Sequence, residues 1–80
     1  MVVMTDLFKT RMQVTQLVYR FPGIESAEVG ERFSLNEREL EIILRRAETA
    51  GEIRRYDING HEKLQGKSFL KQLLYYWITS

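Results

Sequence analysis

The densest group of chemically useful side chains surrounds Asn59-Gly60, in the stretch "IRRYDINGHEKLQG" from Ile53 to Gly66. Arginine and lysine donate hydrogen bonds to phosphate oxygens, and a tyrosine adds a hydroxyl donor. A set of this kind suits the binding of a polyanion, although a solvated polar face on a small ribbon would have the same composition. The group consists of Arg54, Arg55, Tyr56, His61 and Lys63.

The sequence offers little for metal binding or catalysis. His61 is the only histidine and the chain has no cysteine, so a metal site would need carboxylates such as Asp57 and Glu62. Their spacing matches no ligand pattern, no nucleophile stands beside a base, and no glycine-rich phosphate loop occurs. We therefore predict no enzyme activity, no metal and no cofactor.

A hairpin is expected to position the cationic group. Asn59-Gly60 suits the two positive-φ positions of a type I′ turn, which predicts a hairpin over residues 52–65. Ile53 and Leu64 then share the face that packs on the core, and Arg55 lies beside them on that face. The opposite, outward face contains three cross-strand pairs: Ile58 with His61, Tyr56 with Lys63, and Arg54 with Gln65.

Helical segments flank this hairpin on both sides. Apolar spacing predicts a first helix over residues 5–21, a short second helix over 26–33 that Ser26 caps, and a third over 36–50 that Asn36 caps. A last helix is predicted over residues 68–79. Gly30 lowers helix propensity by about 1 kcal/mol relative to alanine, so we expect a close contact there between the second and third helices.

Length and charge set the remaining limits. Eighty residues form one small domain, residues 1–80. No apolar run approaches the roughly 20 residues of a membrane span and no secretory signal is evident, so the expected location is the cytoplasm. The net charge is +1, divided into −2 for residues 1–52 and +3 for residues 53–80, which favours a polyanionic partner only weakly.

The order helix, short helix, helix, hairpin, helix is that of a winged helix-turn-helix domain. The stretch "SAEVGERFSLNERELEIILRRAETAGEI", from Ser26 to Ile53, resembles the core of small prokaryotic, viral or plasmid transcriptional regulators. "AGEI" matches the link from recognition helix to wing, and "DINGHE" resembles a wing tip. Apolar or small residues stand where such a domain needs them: Val29, Gly30, Phe33, Leu35, Leu40, Leu44, Ala47, Gly51 and Ile53.

The resemblance covers residues 5–66 and implies an α+β fold, with a three-helix core, a two-stranded wing and an additional C-terminal helix. It also implies binding to double-stranded DNA, with the third helix in the major groove and the wing on the flanking backbone. The implied contact residues on the helix are Asn36, Arg38, Arg45 and Arg46. Those on the wing are Arg54, Arg55, Tyr56, His61 and Lys63.

The third helix departs from the family pattern, because acids and Ile42 stand where polar or basic residues are common. Carboxylates repel phosphate, although Glu37 and Glu39 also stabilise the first helical turn and Glu41 can pair with Arg45 four residues on. The alternative function is therefore a winged-helix protein-protein interaction module that binds polymerase, another regulator or an assembly. Binding of RNA by the same wing is a weaker third option.

The last predicted helix is more apolar than one packed face requires, since eight residues of "FLKQLLYYWI" are apolar or aromatic. Phe69, Leu73, Tyr76 and Trp77 can close the core of a monomer. The remaining apolar side chains predict an interface, so we expect a homodimer through this helix. The candidate dimer residues, with Trp77 at the border of both sets, are Leu70, Leu74, Tyr75, Trp77 and Ile78.

Overall fold

The computed structural model describes residues 4–67. This part is a small α+β structure with three helices and one antiparallel sheet of three strands. The predicted helix over residues 68–79 lies outside the described residues, as do the candidate dimer residues within it. In chain order the elements are α1 (Met4–Arg20), β1 (Ile24–Glu25), α2 (Ser26–Arg32), α3 (Glu37–Thr49), β2 (Ile53–Ile58) and β3 (His61–Gly66).

The core lies between the helices and one face of the sheet. Each fully buried aliphatic side chain contributes about 1.5–3 kcal/mol through removal of its surface from water. Leu64 and Ile53 line the sheet side, as the alternation of the hairpin predicts. The core cluster consists of Val14, Val18, Ile24, Val29, Ile43, Leu44, Ala47, Ile53 and Leu64.

The hairpin has the predicted turn and register. Asn59 and Gly60 both have positive φ, 53° and 82°, as a type I′ turn requires. The amide of Gly60 also donates to the side chain of Asp57 over 3.3 Å. The three predicted outward pairs are confirmed: Ile58 with His61, Tyr56 with Lys63, and Arg54 with Gln65.

The sheet also has a third strand that the sequence did not predict, because β1 lies at the free edge of β3. Ile24 pairs with Leu64 and Glu25 with Lys63, and the order of strands is β1-β3-β2. The expected cap of α2 is wrong, since Ser26 is the first helical residue and the N-cap is Glu25. Glu25 has extended backbone angles as the end of β1, and its side chain makes no cap hydrogen bond.

The expected cap of α3 and the close contact at Gly30 are confirmed. The Asn36 side chain accepts a hydrogen bond from the Glu39 amide over 2.8 Å, and the Glu39 carboxylate accepts from the Asn36 amide over 3.1 Å. At Gly30, an added Cβ would lie 3.2 Å from the Leu40 side chain of α3. Within residues 4–67, none of the helices is long and apolar enough to cross a membrane.

Candidate nucleic-acid interface

The arginines of α3 lie on or beside the side of the helix that faces away from the core, with Arg46 next to the central stripe. Positions 38, 42, 45 and 49 fall on one stripe opposite the buried residues of the helix, by helical periodicity. Arg38 and Arg46 are exposed, and neither has a carboxylate partner among the described residues. Arg45 is also well exposed, at 72% of its side chain, but its Nη2 lies 3.3 Å from Glu41 Oε1.

Glu41 is turned toward the hairpin, where Arg55 binds it with two hydrogen bonds. Arg55 Nη2 lies 2.7 Å from Glu41 Oε2, and Arg55 Nη1 lies 3.2 Å from Glu41 Oε1. The same Nη2 is 3.1 Å from Glu62 Oε1 on β3. This bidentate geometry is the strong form of an arginine-carboxylate pair, so Arg55 joins α3 to both strands of the hairpin.

The charges in this contact alter the ionisation of both partners. The hydrogen bond from Arg55 is the main reason that the pKa of Glu41 is below its ordinary value, with desolvation opposing it. The hydrogen bond to Glu41 in turn raises the pKa of Arg55, whose side chain is only 17% exposed. Sequence reasoning counts Arg55 among the residues that contact DNA, whereas the structure engages its guanidinium with two carboxylates.

Lys63 and His61 on the outward sheet face are likewise engaged, because β1 brings Glu25 beside them. Lys63 Nζ lies 3.0 Å from Glu25 Oε1, and His61 Nδ1 lies 3.5 Å from Glu25 Oε2. The hydrogen bond from Lys63 is the main cause of the lowered pKa of Glu25. Sequence reasoning missed Glu25 because nothing in "FPGIES" indicates a strand as short as two residues.

Arg54 and Tyr56 complete the outward face of the hairpin. Arg54 is exposed and has no carboxylate partner in the described part of the chain. Its guanidinium carbon lies 5.9 Å from the centre of the Tyr56 ring, within the range of a cation-π contact. The pair is therefore a cation held over a half-buried aromatic side chain.

The predicted contact residues do not form one continuous surface. Ile53 and Leu64 face the helices, so the alternation of a strand directs Arg54 and Lys63 to the opposite side of the sheet from α3. One surface is the exposed side of α3, and it includes the helix residues Asn36, Arg38, Arg45 and Arg46. The other is the outward sheet face, and it includes Arg54, Tyr56, His61 and Lys63.

The side chains available for other chemistry are few. Among residues 4–67, no group of three histidine, aspartate or glutamate side chains is arranged to hold a metal ion.

In comparisons of sequence, no protein family and no curated protein matches this chain.

Proposed function

We propose that this protein is a winged-helix DNA-binding transcriptional regulator, with α3 as the recognition helix and the β2–β3 hairpin as the wing. The observation that carries the proposal is the exposed side of α3, where Arg38 and Arg46 have no carboxylate partner among the described residues. Exposed cations on the side of a helix that faces away from the core are what phosphate and base contacts in a major groove need.

The carboxylates of α3 are the main objection to this proposal, and the contacts of Glu41 and Glu39 weaken it. Arg55 and Arg45 together balance the charges of Glu41 and Glu62, so Glu41 does not act on an approaching phosphate as an isolated negative charge. Asn36 and Glu39 form the reciprocal hydrogen bonds of the capping box, so their side chains stabilise the start of α3. The contribution of α3 to DNA contact then comes from Arg38, Arg45 and Arg46.

The wing contributes differently from the helix in this proposal. Its tip, at Asn59 and Gly60, is exposed, and the amide group of the Asn59 side chain could donate to a flanking phosphate. Arg54 and Lys63 lie on the outward sheet face, so they reach DNA only if the duplex extends around the edge of the sheet. Arg55 supports the wing from α3 and is left out of the proposed contact set.

Binding of labelled duplex, followed by fluorescence anisotropy at several salt concentrations, tests the proposal. We expect affinity to fall steeply with salt, because bound phosphates release counterions. Arg38→Ala and Arg46→Ala should each weaken binding by about tenfold, or ~1.4 kcal/mol. If the arginine contacts a phosphate, its loss should reduce the salt slope by about one unit.

A charge-matched control separates a specific surface from net charge. Lys9 is an exposed cation on α1, so Lys9→Ala removes the same charge from another part of the molecule and should bind duplex like the unchanged protein. If Lys9→Ala and Arg38→Ala lose the same affinity for duplex, binding depends on the net charge and not on the surface of α3. No binding of duplex at low salt would contradict the regulator proposal altogether.

A protein-interaction module is the second candidate, and an exposed and a half-buried apolar side chain favour it. Ile58 is 49% exposed at the tip of the hairpin, and Ile42 lies on the arginine stripe of α3. Apolar side chains beside arginines are common at protein-protein interfaces. Under this function, Ile58→Ser would weaken capture of the partner, while duplex binding would be absent in every variant.

A further inference from the structure

One stripe of α1 is covered over half its length and bare over the other half. Phe8, Met12, Thr15 and Tyr19 follow one another at helical spacing and so lie on the same side of the helix. Thr15 and Tyr19 are buried, whereas Phe8 is 56% and Met12 48% exposed. An apolar side chain left in water on a helix that is otherwise packed marks a place where something else can bind.

The described chain ends beside the covered half of this stripe. The amide of Lys67 donates to the carbonyl of Glu52 over 3.0 Å, and the Glu52 carboxylate accepts from Thr15 Oγ1 over 3.0 Å. Gly66 lies so close to Tyr19 that an added Cβ would be 2.3 Å from the ring. The last described residues, Gly66 and Lys67, therefore lie next to the half of α1 that contains Thr15 and Tyr19.

We propose that the C-terminal segment of this chain, residues 68–80, packs along α1 and covers Phe8 and Met12. The lengths agree, since the predicted helix over residues 68–79 would extend about 18 Å, and Tyr19 to Phe8 on α1 covers about 16 Å. In the proposed arrangement the segment would run from Lys67 toward the bare half of the stripe. Phe69, Leu73 and Tyr76 have the spacing to form its contact side.

The side chain next to the stripe also favours a covering segment from the same chain. Arg11 lies beside the stripe, with its guanidinium carbon 5.2 Å from the centre of the Phe8 ring and its Nη2 3.3 Å from Glu52. The Nε of Arg11 is buried and has no hydrogen-bond partner among the described residues, so an acceptor from a covering segment would satisfy it.

A second copy of the protein is a poorer occupant for this patch. Two half-exposed side chains offer far less than the roughly 800 Å² per partner that a stable interface buries. A segment of the same chain pays a much smaller entropic cost of association, because it starts beside the patch. The inference is independent of the proposed DNA binding, since the stripe includes none of the α3 arginines.

The only tryptophan, Trp77, lies in the segment and makes a direct test possible. We expect the fluorescence of Trp77 to be poorly quenched by acrylamide, at protein concentrations where sedimentation shows a monomer. The double substitution Phe8→Glu with Met12→Glu should increase quenching several-fold and leave the far-ultraviolet circular dichroism of α1 to α3 intact. Ile58→Glu places one such charge on an exposed apolar position away from the stripe, and it should leave the quenching of Trp77 unchanged.

A crosslinking pair tests the contact without adding charge. The chain has no native cysteine, so Met12→Cys with Leu73→Cys provides one defined pair for a short bismaleimide. We expect one chain linked to itself, and little such product from Ile58→Cys with Leu73→Cys. Equal yields from both pairs, or a product made only of two linked chains, would overturn the proposal. So would quenching of Trp77 that is unchanged by the Phe8 and Met12 substitutions.

Discussion

Glu41 decides how the acidic character of α3 should be understood. Its carboxylate accepts two hydrogen bonds from Arg55, at 2.7 and 3.2 Å, while Arg45 approaches from the same helix. The substitution Glu41→Gln keeps the shape of the side chain and removes its charge. We expect a loss of about 1 kcal/mol in the free energy of unfolding, a modest value because 44% of the Glu41 side chain is exposed.

The cost of Glu41→Gln should depend on pH in a defined direction. The pKa of Glu41 is lowered in the folded protein, so the unfolded chain takes up its proton first on acidification. The stabilisation is therefore complete above the ordinary glutamate pKa of about 4.5 and disappears as the pH falls through the lower folded value. Urea unfolding at several pH values measures it.

The matched control for this prediction is Glu48→Gln, on the same helix. Glu48 is exposed and has no charged partner among the described residues, so its loss should change stability little at any pH. Carboxylates titrate between roughly pH 3 and pH 7. If the difference in free energy of unfolding between Glu41→Gln and the unchanged protein stays constant over this range, the contact with Arg55 does not stabilise the fold.

At the scale of the elements, Gly66 sets how closely β3 approaches α1. An added Cβ would lie 2.3 Å from Cε1 of Tyr19, whose hydroxyl donates to the Glu52 carbonyl over 2.8 Å. Gly66→Ala should therefore displace a fully buried ring and lower the free energy of unfolding by about 1–3 kcal/mol. The midpoint of urea unfolding reports the change.

The neighbouring residue provides the control for this contact. Gln65 is exposed on the same strand, so Gln65→Ala shortens a side chain in the same hydrogen-bonded ladder without touching Tyr19. It should unfold close to the unchanged protein. A Gly66→Ala variant as stable as Gln65→Ala would mean that the Tyr19 ring can move aside at no cost.

The same elements explain what the sequence could and could not predict. The hairpin register and the cap of α3 were predictable because each depends on residues within a few positions, namely Asn59-Gly60 and Asn36 with Glu39. The strand β1 was not, since its pairing with β3 joins positions about 40 apart and extends over two residues only. Long-range pairing leaves no local periodicity to detect.

The candidate site follows the same division between local and distant contacts. The pair of Glu41 with Arg45 was open to prediction, because four residues on a helix bring them together. The pair of Glu41 with Arg55 joins α3 to β2, and the pair of Glu25 with Lys63 needs β1. Which cations remain free therefore depends on the tertiary fold.

At the scale of the whole molecule, the question is which contacts cover the apolar side chains that the described core leaves out. The described part of the molecule measures 35 × 32 × 22 Å, and residues 7–67 expose only four large apolar side chains. The segment over residues 68–79 adds more apolar residues than one contact with α1 can cover. We therefore propose that its other side, with Leu70, Leu74, Tyr75 and Ile78, joins two copies of the protein.

Sedimentation velocity tests this dimer directly. At a concentration on the order of tens of micromolar we expect the unchanged protein to sediment as a dimer. Leu74→Glu should convert it to a folded monomer, because a charge buried without a partner opposes association. Gln72→Glu adds the same charge to a polar position of the segment and should leave the dimer intact. If the unchanged protein sediments as a monomer, the dimer is refuted. Crosslinking of Met12→Cys with Leu73→Cys within one chain would still be expected, because that contact requires no second copy.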